Sequence, residues 1–127
     1  MPNDFESLQD RLRRFAEARD WEKFHSPRNL ALALAGEVGE LAAELQWVAD
    51  GEVPGHLRDP AARARLADEM ADVLIYLVRF GDVCGIDILP EAHAKIDRNE
   101  VRFPPALPSG AASADGAQAS ASPDGEG

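Results

Sequence analysis

The chain has 127 residues, of which 45% are hydrophobic, and a formal net charge of −10 at pH 7. This size predicts one small domain, or one subunit whose core is completed by a partner. The acidic balance argues against non-specific binding of nucleic acid or of anionic membranes, because both need clustered Lys and Arg. The single cysteine, Cys84, excludes an internal disulfide and a thiolate zinc site. We expect no signal peptide and no membrane span, and therefore a cytoplasmic protein.

Four helices are predicted in chain order from apolar residues at helical spacing and from capping signals. Ser26 is expected to cap the second helix, with Pro27 at its first position, and Asp59-Pro60 begins the third in the same way. Gly85 is expected to end the third helix, and a loop is expected over residues 51–59. The predicted ranges are about Asp4–Arg19, Pro27–Ala49, Pro60–Cys84 and Asp87–Val101.

The pattern predicts an all-α fold, a four-helix bundle completed by homo-oligomerisation. The third helix is apolar nearly all round, and so it is expected to be buried on all sides, near a subunit interface. Ordinary burial within a monomeric bundle is the alternative. The apolar positions are Leu66, Met70, Val73, Leu74, Ile75, Leu77 and Val78. We assign residues 1–105 to this domain and interpret residues 106–127, rich in Ala, Ser and Gly, as a disordered low-complexity tail.

Two pairs of carboxylates interrupt the apolar stretches of the second and third helices: Glu37 with Glu40, and Glu69 with Asp72. Residues at i and i+3 lie on one helix face, so each helix presents two acids to one neighbour. Glu37 lies in the middle of a leucine stripe, where an unpaired charge would cost several kcal/mol or take up a proton.

A divalent cation shared between the two helices would remove this cost, and four carboxylates suit a hard ion such as Mg²⁺. A buried network of acids and arginines is the alternative. A di-iron centre is disfavoured because neither pair contains the histidine of a Glu-x-x-His motif. Tyr76 lies one turn beyond Asp72, and Trp47 is predicted on the same face as Glu40, which is expected of a metal site beside a flat ligand.

The two acidic strings, Gly36-Glu37-Val38-Gly39-Glu40-Leu41 and Asp68 to Tyr76, occur in order with two flanking motifs, of which the upstream one is aromatic. These are the segment Arg19 to His25 upstream and the segment Lys95 to Asn99 downstream. Together they resemble the MazG-like nucleotide pyrophosphohydrolases, and within them the dCTP pyrophosphatase branch. The resemblance covers about residues 4–105. A lone Glu-x-x-Glu carries no information, but the two-part pattern with its flanking motifs is specific.

The resemblance implies an α-helical dimer or tetramer that hydrolyses a nucleoside triphosphate to the monophosphate and pyrophosphate with Mg²⁺. By this resemblance, the metal ligands and catalytic acids are Glu37, Glu40, Glu69 and Asp72. The substrate-binding candidates, for stacking on the base or for contacting phosphate, are Trp21, His25, Trp47, Tyr76, Lys95 and Asn99. Core packing is the alternative for the tryptophans, and a solvated helix face is the alternative for Lys95.

The sequence therefore predicts a cytoplasmic, Mg²⁺-dependent pyrophosphohydrolase that acts on dCTP or modified deoxycytidine triphosphates and removes them from the nucleotide pool. A broad-specificity or dUTP-type enzyme is the first alternative. The second is a non-catalytic helical regulator that binds nucleotide or a protein partner. The presence of all four acids argues against this second alternative.

Overall fold

A computed structural model describes residues 3–106, and this part of the chain is helical without strands. The predicted all-α fold is confirmed. Its helices are α1 (Asp4–Ala18), α2 (Pro27–Ala43), α3 (Val53–His56), α4 (Pro60–Cys84) and α5 (Ile88–Arg102), with short 3₁₀ turns at Glu22–Phe24 and Asp50–Glu52. Apart from Ala106, the predicted disordered tail lies outside the described residues.

Side-chain caps fix the starts of three helices. Asn3 accepts a hydrogen bond from the backbone N–H of Glu6 at 2.7 Å and begins α1. Ser26 Oγ accepts from the N–H of Asn29 at 3.1 Å and begins α2, as predicted. Asp59 accepts from the N–H of Ala61 at 3.3 Å and begins α4. Each bond satisfies a backbone donor that has no partner within its own helix.

Two glycines at the end of α4 are required by the local geometry. Gly85 ends the helix with φ +70°, a left-handed conformation that a residue with a side chain rarely adopts. At Gly81, an added Cβ would lie 2.7 Å from Ile88 Cγ2 and 3.1 Å from the carbonyl oxygen of Ile86. Ile86 and Ile88 can therefore lie close to α4 because position 81 has no side chain.

The second helix is shorter than predicted. It ends at Ala43 instead of about Ala49. From Glu44 the backbone N–H groups bond three residues back instead of four, to Leu41, and the next bond runs from Leu45 to Ala42. This tighter spacing marks 3₁₀-type turns, which end the α-helix. The predicted loop over residues 51–59 contains the one-turn helix α3, so residues 3–106 form five helices where four were predicted.

Packing of α2 and α1 on α4 organises the first unit of the chain, which ends at Ile88. Its buried apolar side chains come from all three helices: Ala16, Leu30, Ala62, Leu66 and Val78. The second unit begins at Leu89 and contains almost all of α5. No helix in residues 3–106 has the length and the apolar character that crossing a membrane requires.

Candidate active site

Three of the four predicted acids come together where α2 packs on α4. Glu37 lies on α2, and Glu69 and Asp72 lie one turn apart on α4. One carboxylate oxygen from each of the three residues lies within 4.8 Å of the other two. All three side chains are half-buried. The fourth predicted acid, Glu40, lies one turn further along α2 and is exposed. We call Glu37, Glu69 and Asp72 the acidic triad.

The electrostatics of the acidic triad oppose the ionisation of Glu37 and Glu69. Burial raises the pKa of Glu37, and the negative charges of Asp72 and Glu40 raise it further. Burial also raises the pKa of Glu69, followed by the charges of Glu40, Asp72 and Glu37. Among residues 3–106, no Lys or Arg forms an ion pair with any of these four carboxylates.

The alternative of a buried acid–arginine network therefore does not describe this cluster. Three carboxylates that repel one another, without a cationic side chain, form an oxygen-only donor set that fits a hard divalent cation. A cation would offset both the repulsion and the burial of charge.

A cavity of about 440 Å³ lies between α1 and α4, with Asp72 of the acidic triad in its wall. It is bounded by side chains of α1, the α1–α2 link and α4: Leu8, Arg11, Leu12, Phe15, Ala16, Trp21, His25, Asp72, Ile75, Tyr76 and Arg79. Three of the predicted substrate-binding residues, Trp21, His25 and Tyr76, thus surround one space. Asp72 belongs both to this cavity and to the acidic triad.

The aromatic rings of the cavity contact one another edge to face. The ring centroids of Phe15 and Trp21 are 5.6 Å apart with an interplanar angle of 68°. Those of Trp21 and His25 are 6.4 Å apart at 62°. Edge-to-face contacts help to hold these rings in their orientations.

Trp47 lies elsewhere in the structure. It follows the end of α2 at Ala43, so it does not lie on a helix face with Glu40, and that prediction is wrong. The helix stops before it reaches the seventh residue after Glu40. The Trp47 side chain is 88% exposed and is not part of the cavity wall. Its role in substrate binding stays a prediction.

The structure also places Glu44 and the predicted phosphate-binding residues Lys95 and Asn99. Glu44, at the end of α2, forms an ion pair with Arg65 of α4, with 3.4 Å between Arg65 Nε and Glu44 Oε2. Lys95 and Asn99 lie on α5 in the second unit, four residues apart and hence on one face of that helix. Lys95 is exposed and Asn99 is half-buried. Their role in binding phosphate stays a prediction.

Sequence reasoning missed Arg79, the buried arginine of the cavity wall. Arg79 is only 7% exposed and lies between Val78 and Phe80 in an apolar run of α4. Its Nε donates a hydrogen bond to His25 Nδ1 at 3.1 Å. A charged residue inside an apolar helical run was the available signal, because such a residue is rarely buried without partners. The apolar residues of α1 were also missed, since in sequence they look like ordinary core.

Curated proteins named dCTP pyrophosphatase 1 are similar to this chain. The chain is 49% identical over 98 residues to the protein from Rattus norvegicus, an alignment that covers 77% of the chain and 58% of the relative. It is 51% identical over 90 residues to the protein from Homo sapiens, covering 71% of the chain and 53% of the relative. The chain thus spans little more than half the length of these relatives.

A solved structure is also similar to this chain. The crystal structure of a pyrophosphatase from Archaeoglobus fulgidus matches with a TM-score of 0.76 and 35% sequence identity, over 83% of this chain and 96% of that chain. No protein-family model matches the chain. Since both comparisons agree with the resemblance of the acidic strings, the chain belongs to the MazG-like nucleotide pyrophosphohydrolases and is similar to their dCTP pyrophosphatase branch.

Proposed function

We propose that this protein is a Mg²⁺-dependent pyrophosphohydrolase that converts dCTP, or a modified dCTP, to the monophosphate and pyrophosphate. The position of Asp72 carries this proposal, because this residue belongs to the acidic triad and to the wall of the aromatic cavity. A nucleotide with its base in the cavity would then have its phosphates beside the acids. The relatives named dCTP pyrophosphatase support the choice of base and reaction.

The metal ligands in this proposal are the acidic triad, with Glu40 as the fourth acid. Carboxylates repel a triphosphate, so the acids can hold it only through a cation. Bound there, Mg²⁺ supplies charge neutralisation on the phosphates and orients them for in-line displacement. Hydrolysis then requires that a water oxygen attacks the α-phosphorus. The bond between the α-phosphorus and the oxygen that bridges it to the β-phosphorus breaks. A carboxylate of the site accepts the proton of that water, and pyrophosphate leaves.

The base would stack on the aromatic cavity wall, where Trp21, His25 and Tyr76 lie. Stacking contributes about 1–3 kcal/mol per base and does not distinguish one base from another. Selection of cytosine requires polar groups that match its edge, because an unmatched buried donor or acceptor is strongly unfavourable. Lys95 and Asn99 are proposed as phosphate ligands because they share a face of α5.

A nucleotide panel tests this proposal. Pyrophosphate and nucleoside monophosphate are measured with dCTP, 5-modified dCTP, dUTP and the four ribonucleotides, with Mg²⁺ and with EDTA. We expect release of pyrophosphate from the deoxycytidine nucleotides that depends on Mg²⁺. Equal turnover of all nucleotides would support the broad-specificity alternative, and preference for dUTP the dUTP-type enzyme. Binding without turnover of any nucleotide would identify a non-catalytic regulator and overturn the proposal.

Replacing Trp47 with Ala separates a binding role from a structural one. Since the side chain is 88% exposed, we expect the free energy of unfolding to change by no more than about 0.5 kcal/mol. If Trp47 stacks on the base in the bound state, KM for the nucleotide rises by about 5-fold or more. Chemical denaturation and initial-rate kinetics measure the two quantities. A KM equal to that of the wild type would remove Trp47 from the binding site.

We further propose that the chain assembles as a homodimer or homotetramer. Three large side chains on one stripe of α4 are exposed in the single chain: Met70 by 54%, Leu74 by 48% and Leu77 by 39%. Among the described residues, no atom comes within 4 Å of a Cβ built at Gly36 or Gly39, so packing within the chain does not explain these glycines. Sedimentation equilibrium is expected to give two or four subunits. A monomer at micromolar concentration would contradict this proposal.

The remaining assignments are proposals that follow from the sequence. They are a pyrophosphohydrolase domain over residues 1–105, a cytoplasmic location and a role in cleaning the nucleotide pool. The net charge of −10 supports the expectation that neither nucleic acid nor a membrane surface is a partner.

A further inference from the structure

A chain of hydrogen bonds connects the cavity to the first helix. Arg79 Nε donates to His25 Nδ1 at 3.1 Å, and Arg79 Nη1 donates to Asp82 Oδ2 at 3.4 Å. Arg13 of α1 donates two hydrogen bonds to the same carboxylate, one from Nη2 to Oδ1 at 2.7 Å and one from Nε to Oδ2 at 3.1 Å. Four polar side chains thus join the link before α2 to α4 and α1, and two of them, His25 and Arg79, belong to the cavity wall.

The hydrogen-bond chemistry of this chain determines where the proton of His25 lies. A guanidinium has only donors and keeps its charge, so the atom that it meets must present a lone pair. His25 Nδ1 is therefore the acceptor nitrogen, and the neutral ring carries its proton on Nε2. Burial of the ring and the positive charge of Arg79 both lower the pKa of His25, which agrees with a neutral imidazole. Nε2–H is then the one polar group of the ring left to meet a ligand.

The distances indicate that the hydrogen bond of Arg79 to His25 is closer than its hydrogen bond to Asp82. The bond from Arg79 to Asp82 is 3.4 Å long, whereas Arg13 already bonds both oxygens of that carboxylate at shorter distances. The shorter hydrogen bond of Arg79 is the one to His25. Asp82, in turn, holds the guanidinium in place and compensates its charge, which is needed because Arg79 is only 7% exposed.

We propose that Arg79 is a positioning residue that fixes the Nε2–H tautomer of His25, so that His25 presents a hydrogen-bond donor to an acceptor atom of the bound nucleotide. The identity of the ligand rests on the proposed function, whereas the tautomer does not. A ring free to exchange its proton between the two nitrogens would present a lone pair to the same acceptor part of the time. Arg79 removes that second state before the ligand arrives.

The tautomer is measured directly in the free protein. A long-range ¹H–¹⁵N correlation spectrum of ¹⁵N-histidine-labelled protein resolves three histidines, and loss of one signal in His25→Gln assigns His25. At pH 7.5 we expect the Nε2–H pattern for His25 in the wild type and a mixture of tautomers in Arg79→Met. Arg63→Met removes an exposed arginine from the same helix and should leave the pattern unchanged. A wild-type spectrum with the proton on Nδ1 would overturn the proposal, whether or not Arg79→Met folds.

Kinetics with dCTP and Mg²⁺ test whether Arg79 acts through His25. Loss of one neutral hydrogen bond predicts that Arg79→Met and His25→Ala each raise KM by about 5-fold, with kcat changed by less than about 2-fold. In the double variant the two effects should not add, because the second change removes nothing further. A further rise in KM when Arg79→Met is added to His25→Ala would mean that Arg79 contacts the nucleotide itself. That result would contradict the positioning role.

The tautomer spectrum and the nucleotide assay test the two proposals independently. If no nucleotide is hydrolysed but the free protein has the Nε2–H tautomer, the proposed function falls and the assignment of the proton by Arg79 stands. If dCTP is hydrolysed and the tautomer is Nδ1–H, the proposed function stands and this inference falls.

Discussion

Asp72→Asn is expected to lower kcat/KM for dCTP by at least about 100-fold. The asparagine has nearly the same size but removes the charge from the residue that belongs to both the acidic triad and the cavity wall. Charge stabilisation by a metal ion is worth several kcal/mol in the transition state, and each 1.36 kcal/mol corresponds to a factor of about ten in rate. Initial rates of pyrophosphate release over a range of Mg²⁺ concentrations measure the loss.

The matched control is Asp68→Asn, which removes the same charge one helical turn earlier. Asp68 lies on α4 as well, but it is exposed and outside the acidic triad. We expect its kcat/KM to stay within about 2-fold of the wild type. Circular dichroism and sedimentation of both variants check that helix content and assembly are unchanged. Full activity of Asp72→Asn would remove the acidic triad from the reaction.

Glu37→Gln is expected to have opposite effects on stability without and with metal. Burial and the neighbouring acids raise the pKa of Glu37 from its ordinary value of 4.5. A raised pKa in the folded state means that this group favours the fold below its unfolded pKa and that this contribution is lost as the pH rises through the folded pKa. At pH 7 without metal, the ionised Glu37 therefore opposes folding. The neutral glutamine should raise Tm in EDTA and make it less dependent on pH between 4 and 7.

With Mg²⁺ we expect the wild type to have a higher Tm than Glu37→Gln. Binding to the folded state alone stabilises the wild type by about 2.7 kcal/mol when Mg²⁺ is present at 100 times its Kd, which corresponds to a rise in Tm of roughly 10 °C for a domain of this size. Glu37→Gln should lose most of this rise, because it lacks one anionic ligand. Thermal unfolding in EDTA and in a Mg²⁺ series measures both effects, with Glu17→Gln on an exposed part of α1 as the control. Equal Mg²⁺ stabilisation of Glu37→Gln and the wild type would argue against a metal ion at the acidic triad.

Local chemistry in the sequence predicted the helix starts and the end of α4. Ser26 and Asp59 each have a side-chain oxygen that reaches a backbone N–H two or three residues later, and Pro follows each of them at the first helical position. Gly85 adopts the left-handed conformation that closes α4. Such signals lie within a few residues of the feature they determine, so they can be recognised without knowledge of the tertiary structure.

The end of α2 could not be predicted in the same way. The segment after Ala43 continues the helical apolar pattern through Leu45 and Val48, and the first strong helix breaker is Gly51. In the structure the backbone changes to three-residue spacing before that breaker, and Glu44 pairs with Arg65 of α4. A contact with a distant helix accompanies this ending, and such contacts are not visible in a local pattern.

For the candidate site, spacing predicted which acids share a helix face, but not which of them meet across helices. Glu37, Glu69 and Asp72 converge, whereas Glu40 stays exposed, because the crossing of α2 and α4 determines which turn faces the neighbour. The hydrogen bond from Arg79 to His25 joins residues 54 positions apart, and no spacing rule reaches that far.

The helix α4 carries both Glu69 and Arg79, and this sets the distance between them. Ten residues at 1.5 Å each separate them by about 15 Å along the helix axis. This distance is of the order of an extended nucleoside triphosphate. One inserted residue would add 1.5 Å and turn everything beyond it by about 100°, so the placement of Arg79 relative to Glu69 depends on the number of residues of α4 between them.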